Sequence, residues 1–255
     1  MKLRAAGRLL RIALHVLHGV AVVLLRFPTL DSGARRQRIR WWAAKLLRVA
    51  GVALEGTGTP RPGGVLLLAN HVSWLDIAAI HALCPRARFV SKADVKRWPV
   101  LNRLVDAADT LYLERERRRD AMRVMHHIGE ALASGDAVAV FPEGTTGEGR
   151  SLLPFHANLL QAAIATATPV QPVALRFSDA TQAVSPAVAF VGDTTLLQSL
   201  WRVVCAQGLR VQVQFLPSLG SEHAERRALA ARARGEIAAA LGAPDNPAPT
   251  LAAHE

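Results

Sequence analysis

From residue 64 onward the chain alternates short apolar runs with stretches of helical periodicity, and no other feature constrains its fold as strongly. The runs fall at 64–69, 88–90, 110–113, 137–141, 169–175, 187–191 and 209–216, and each reads as a strand. Helical patterns occupy 74–83, 117–133, 155–165, 194–204 and 222–241. Strands that alternate with helices must bury both faces of a sheet, so the expected fold is α/β with a mixed, largely parallel central sheet flanked by helices. Length suits one large domain over residues 51–241, with a Pro- and Ala-rich tail at 242–255 expected to be flexible. With 51% hydrophobic residues the chain is not disordered, and two cysteines are too few for a disulfide scaffold.

The charge is concentrated at one end. Residues 1–50 hold eleven Lys and Arg against the single acid Asp31, a net charge of +10, whereas residues 51–255 carry only +1. A nucleic-acid-binding protein is expected to carry its basic stripe on the folded body. Here the basic residues surround apolar ones, the combination that an anionic lipid surface attracts. Segment 9–25 (LLRIALHVLHGVAVVLL) is apolar but interrupted by Arg11, His15 and His18, short of the roughly 20 clean apolar residues of a transmembrane span. Arg26, Phe27 and Pro28 follow it, so it lacks the small-residue cleavage site of a signal peptide. Segment 35–52 sets Ile39, Trp42, Leu46 and Val49 at helical spacing among Arg and Lys. Residues 1–50 are therefore expected to form a two-helix membrane-associated motif, lying on the membrane or crossing it as one marginal span; two ordinary core helices with solvated charges give the same pattern.

In α/β domains chemistry sits where strands end, and three such junctions carry candidate residues. The first run ends in NHVSWLD, with His71 in the loop and Asp76 five residues on, in the first turn of the following helix. From there a carboxylate reaches back to one imidazole nitrogen, fixes the tautomer and leaves the other nitrogen as a base. Spacing alone fits equally a structural histidine beside a helix N-terminal acid. At the second junction, TLYLERERRRD delivers Arg115 at a strand end, where a planar donor fork suits phosphate; Arg118, Arg119 and Arg123 read as the solvated face of the next helix. The third, FPEGTTGEGR, places Glu143, Gly144, Thr145 and Thr146 in a glycine-rich turn able to hold an anion or to serve as a plain surface turn. Its near match to a P-loop fails, because Arg150 stands where Lys is required and Pro154 would break the helix that must follow.

Together these residues resemble the lysophospholipid acyltransferase family, the enzymes of the 1-acyl-sn-glycerol-3-phosphate acyltransferase type. NHVSWLD is similar to the family's His-x4-Asp block, LYLER to its Arg block, FPEGT to its Glu-Gly block and TPVQPVAL to its Pro-containing strand. The resemblance implies a glycerolphosphate-acyltransferase-like α/β fold and a fatty acyl transfer from acyl-CoA or acyl carrier protein to the free hydroxyl of a lysolipid. It implies His71 as base, Asp76 as its support, and Arg115, Glu143, Gly144, Thr145 and Thr146 around the acceptor headgroup, with no metal or other cofactor. It also implies work at a membrane lipid surface, on the cytoplasmic face. One position departs from the pattern: many members carry Arg where this chain has Thr146, a feature similar to the lyso-ornithine lipid acyltransferases of the same family.

Rival readings lack their signatures. A serine hydrolase needs Gly-x-Ser-x-Gly at a strand-to-helix elbow, and the nearest match, LPSLG at 216–220, has no first glycine. The pairs His15/His18 and His126/His127 have no clustered Cys or carboxylate to complete a metal site. Cys84 and Cys205 are expected to be free thiols in a reducing compartment.

Overall fold

The computed structural model describes residues 2–92, 100–113 and 118–242. Seven strands form one sheet: β1 (Ala53–Thr57), β2 (Val65–Ala69), β3 (Ala87–Lys92), β4 (Leu111–Leu113), β5 (Ala137–Val140), β6 (Val170–Ser178) and β7 (Arg210–Phe215). Their spatial order is β1-β7-β6-β2-β5-β3-β4. All neighbours are parallel except β6 and β7, so β2 to β6 run one way and β1 and β7 the other. The sheet is mixed and largely parallel, as the alternation predicts.

Each central strand feeds two cores by its period of two. In β2, Val65, Leu67 and Ala69 join one cluster while Leu66 and Leu68 join the other. In β5, Ala137 and Ala139 go to the first, Val138 and Val140 to the second. Both strands are buried throughout, which explains why they read as unbroken apolar runs. The first cluster is closed by α1 (Lys2–Leu25), α2 (Ser32–Ala50), α3 (Leu75–Leu83) and α7 (Leu196–Cys205). The second is closed by α5 (Arg118–Ala133), α6 (Gln161–Ala165) and α8 (Arg226–Leu241). A further short helix, α4 (Leu101–Ala107), precedes β4.

The N-terminal helices are built into the body. Ala5 and Ile12 of α1 and Leu46, Leu47 and Ala50 of α2 are buried in the same cluster as the sheet. Asp31 caps α2 by accepting from Ala34 N–H, and Gly51 ends it in the left-handed region (φ 85°). The Trp42 indole lies against Gly19 and donates to His15 O, while the His15 ring hydrogen-bonds Trp42 O. The two helices are thus clasped at a point where only glycine leaves room. Arg8 reaches further and donates to Val204 O and Ala206 O at the end of α7. The change at residue 50 is therefore one of composition and not a gap in packing.

Two strand assignments differ from the sequence reading. Residues 187–191 are not a strand: Ala189 N–H turns back to Pro186 O, and Phe190 N–H bonds Val72 O, outside any ladder. The stretch instead forms a strap over the end of β2, with Val188 and Ala189 buried and Phe190 N–H on Val72 O. Conversely β1 (ALEGT) has no apolar run, because it is an edge strand with much of its surface in solvent.

Candidate active site

Strands β2 and β5 lie side by side in parallel register, Leu68 opposite Val140. Continuing that register by three residues brings His71 level with Glu143 at the carboxyl edge of the sheet. Odd-numbered residues of both strands face the α3 side, so Phe141 and His71 project the same way. Their rings stack at 3.8 Å between centroids, tilted 8°. Phe89, next to β5 on β3, extends the row at 5.7 Å.

Asp76 occupies the first turn of α3 and reaches back. Its Oδ2 lies 2.7 Å from His71 Nδ1 and also accepts the backbone N–H groups of Val72 (2.7 Å) and Ser73 (2.9 Å). The Asp76 side chain is fully buried, while that of His71 keeps 18% of its surface exposed. An acceptor carboxylate at Nδ1 places the proton there and leaves the lone pair on Nε2. Asn70, just before, bonds both ways with Leu175 of β6 and fixes the chain where it leaves the sheet.

Glu143 is buried with both oxygens engaged: Oε1 accepts from His71 N–H (2.8 Å) and Oε2 from Leu153 N–H (2.9 Å). Burial raises its pKa, an effect opposed by those two amides and by the His71 ring. Gly147 N–H returns to His71 O at 2.8 Å, so the peptide of His71 is held on both sides by the 142–153 loop. Gly144 (φ 70°) makes the turn after Phe141 possible. Thr145 is exposed, and the Thr146 hydroxyl donates to Phe190 O of the strap. The structure thus gathers His71, Asp76, Glu143, Gly144, Thr145 and Thr146 around one strand edge; Arg115 lies outside the described residues.

The His71 ring stands on the wall of a cavity of about 1210 Å³. Its lining is mainly apolar and comes from α1 (Ile12, Val16), α2 (Trp42), α4 (Leu104) and α7 (Leu200), with Gly144, Thr145 and Thr146 beside His71. Sequence reasoning missed Phe141 as the ring that backs His71. Its signal was present only as the last apolar residue before PEGT, and its partner depends on strand register, which spacing along the chain does not carry. His126 and His127 both contact Glu130 on the exposed face of α5, away from this edge.

Three comparisons bear on this geometry. Residues 52–176 match the family model described as Acyltransferase. Over 219 residues the chain is 35% identical to a lyso-ornithine lipid O-acyltransferase of Pseudomonas aeruginosa, covering 85% of this chain and 83% of that one. Over 205 residues it is 39% identical to a 1-acyl-sn-glycerol-3-phosphate acyltransferase of Neisseria gonorrhoeae, covering 78% and 79%. The crystal structure of the 1-acyl-sn-glycerophosphate acyltransferase PlsC from Thermotoga maritima shares the fold, with a TM-score of 0.67 at 19% identity over 92% of this chain and 96% of that one.

Proposed function

The chain belongs to the lysophospholipid acyltransferase family and is an O-acyltransferase, and we propose that it acylates the free hydroxyl of 1-acyl-sn-glycerol-3-phosphate to give phosphatidic acid. The observation that carries the reading is the 2.7 Å His71–Asp76 contact at a strand end, with the ring open to a large apolar cavity. His71 Nε2 takes the proton of the acceptor hydroxyl as its oxygen attacks the thioester carbonyl carbon. Asp76 holds the ring and supports the imidazolium that forms. When the tetrahedral intermediate collapses, the C–S bond breaks and the proton passes from His71 to the departing thiolate. Neither an acyl-enzyme nor a metal or other cofactor enters this scheme. The donor is acyl-CoA or acyl carrier protein, and the apolar cavity is suited to an acyl chain.

Glu143 and Gly144 act in this reading by shaping the loop that holds His71, whereas the family resemblance assigns Arg115, Thr145 and Thr146 to the acceptor headgroup. The protein is membrane-associated, and we place its site on the cytoplasmic face, a setting that suits the free thiols Cys84 and Cys205. A second acceptor, lyso-ornithine lipid, is favoured by one observation: position 146 is a neutral Thr whose hydroxyl proton goes to Phe190 O, so it offers a phosphate neither a cation nor a free donor. Purified protein offered a panel of lysolipids and acyl thioesters, with products identified by mass spectrometry, tests the assignment. Replacing His71 by Ala should lower turnover by about 10² to 10⁴-fold; a variant retaining more than about a tenth of wild-type turnover, folded and intact, removes His71 as the base.

A further inference from the structure

The membrane-associated reading rests on α1 and α2, and the structure carries it further, to a part of the body that begins 146 residues after the end of α2. Helix α7 opens with a complete capping box, Thr195 and Gln198 each bonding the other's backbone. Its inner face is buried through Ser199, Val203 and Val204. Leu196 and Leu200 line the cavity. One position further round, Leu197 is 78% exposed and Trp201 is 45% exposed, four residues apart and therefore on one face. Arg202 follows on the exposed surface.

Helix α1 repeats this arrangement. Leu9 and Ala13 line the same cavity, while Leu10 and Leu14, the next residues round, are each more than half exposed, and Leu17, equally exposed, stands on the cavity's rim. The two helices pack together, and the Arg8 guanidinium on the last carbonyls of α7 fixes one against the other. Two elements that flank one cavity thus each turn an apolar stripe outward. A Trp beside an Arg next to exposed leucines is the composition of the membrane–water interface. The continuity with α1 and the adjacent basic residues single out an anionic bilayer as the occupant, over a second copy of the chain.

From this we infer that α7 is a second membrane-contact element: Leu197 and Trp201 enter the interface beside α1, so that lipid borders the cavity on both flanks. Site-directed labelling of the full chain tests this. With Cys84 and Cys205 replaced by Ala, an environment-sensitive fluorophore is placed in turn at Leu14→Cys (α1), Leu197→Cys (α7) and Arg232→Cys (α8, on the other side of the sheet). Each protein is mixed with phosphatidylethanolamine–phosphatidylglycerol vesicles carrying a quencher in their acyl chains. The inference expects quenching at 14 and 197 and none at 232. Quenching at 14 alone overturns the α7 contact while leaving the N-terminal one standing, and quenching at neither removes the membrane reading itself. A blue shift at 197 that grows with protein concentration in the absence of vesicles assigns the face to a second copy and also overturns it. In a separate binding series, the full chain with Leu197→Gln and Trp201→Gln should partition into the same vesicles roughly ten- to a hundredfold less, the scale set by burying one large apolar side chain; unchanged partitioning refutes the contact.

Discussion

Replacing Asp76 by Asn changes one atom and tests most of the site's logic. Asp76 Oδ2 accepts three donors, from His71 Nδ1, Val72 N and Ser73 N, and Oδ1 is buried with no partner among the described residues. In the variant, the amide oxygen must stay where Oδ2 was, since an NH₂ there would face three donors. The NH₂ then occupies the Oδ1 position, buried and without an acceptor, which costs about 1–3 kcal/mol. For a chain of this size that lowers Tm by roughly 2–12 °C. The hydrogen bond to His71 survives but loses its charge at the moment the imidazolium forms. A charged hydrogen bond contributes about 1.5–3 kcal/mol, so kcat/KM should fall roughly ten- to a hundredfold with the donor KM little changed. Thiol release from an acyl thioester in the presence of lysolipid reads the rate, and calorimetry reads Tm. A variant within about threefold of wild type in kcat/KM would show that Asp76 only holds the chain in place and does not support the base.

Three further outcomes are expected. His81 is buried in α3, and burial lowers its pKa to about 4 from an ordinary 6.5; the folded state therefore binds its proton less tightly than the unfolded chain, and stability complete above pH 6.5 should decline by about 3 kcal/mol as pH falls toward 4. His81→Leu should flatten that slope in urea titrations, and an unaltered slope would assign the acid sensitivity to other groups. Glu143→Gln can accept only one of the two amides from His71 and Leu153, so it should lose stability and activity together; its pKa is raised by burial, so wild-type stability falls as pH rises from 4.5 through the raised value, and the variant should lack that component in thermal melts. Arg115→Ala should raise the KM for 1-acyl-sn-glycerol-3-phosphate about ten- to a hundredfold, with partial recovery on adding Thr146→Arg; equal kinetics with 1-acyl-sn-glycerol-3-phosphate and with a lyso-ornithine acceptor in all three proteins would sink the headgroup roles of both residues.

What could be read from the chain itself follows from the range of the interactions involved. Strands β2 and β5 were legible because burial on both faces leaves a continuous apolar run, and the pairing of His71 with Asp76 because five residues and one helical turn determine it. Strand β1 was not legible, since ALEGT becomes a strand only by pairing with β7, more than 150 residues away. The 187–191 run misled for the complementary reason: Val188 and Ala189 are buried, as a strand's residues would be, but by crossing the end of β2 and not by pairing in the sheet. Glu143 stood out in the chain as the acid of the turn after β5, but its partners are the backbone amides of His71 and Leu153, and amides carry no sequence signature. Residues 1–50 were read by composition as an appendage, whereas Ala5, Ile12 and Leu47, small or ordinary core residues within a basic segment, tie them into the main core.

The Arg8 clamp also sets an order of events during synthesis. Its acceptor Val204 lies 196 residues downstream, so at about 5–20 residues per second α1 is complete roughly ten to forty seconds before the carbonyls it must grip exist. Throughout that interval its cavity-side face, Leu9, Ile12 and Val16, has no α7 against which to close. The wall that α1 and α7 share along the cavity can therefore close only once the chain has been made through residue 204, so the site is completed late in synthesis although its catalytic residues lie far earlier.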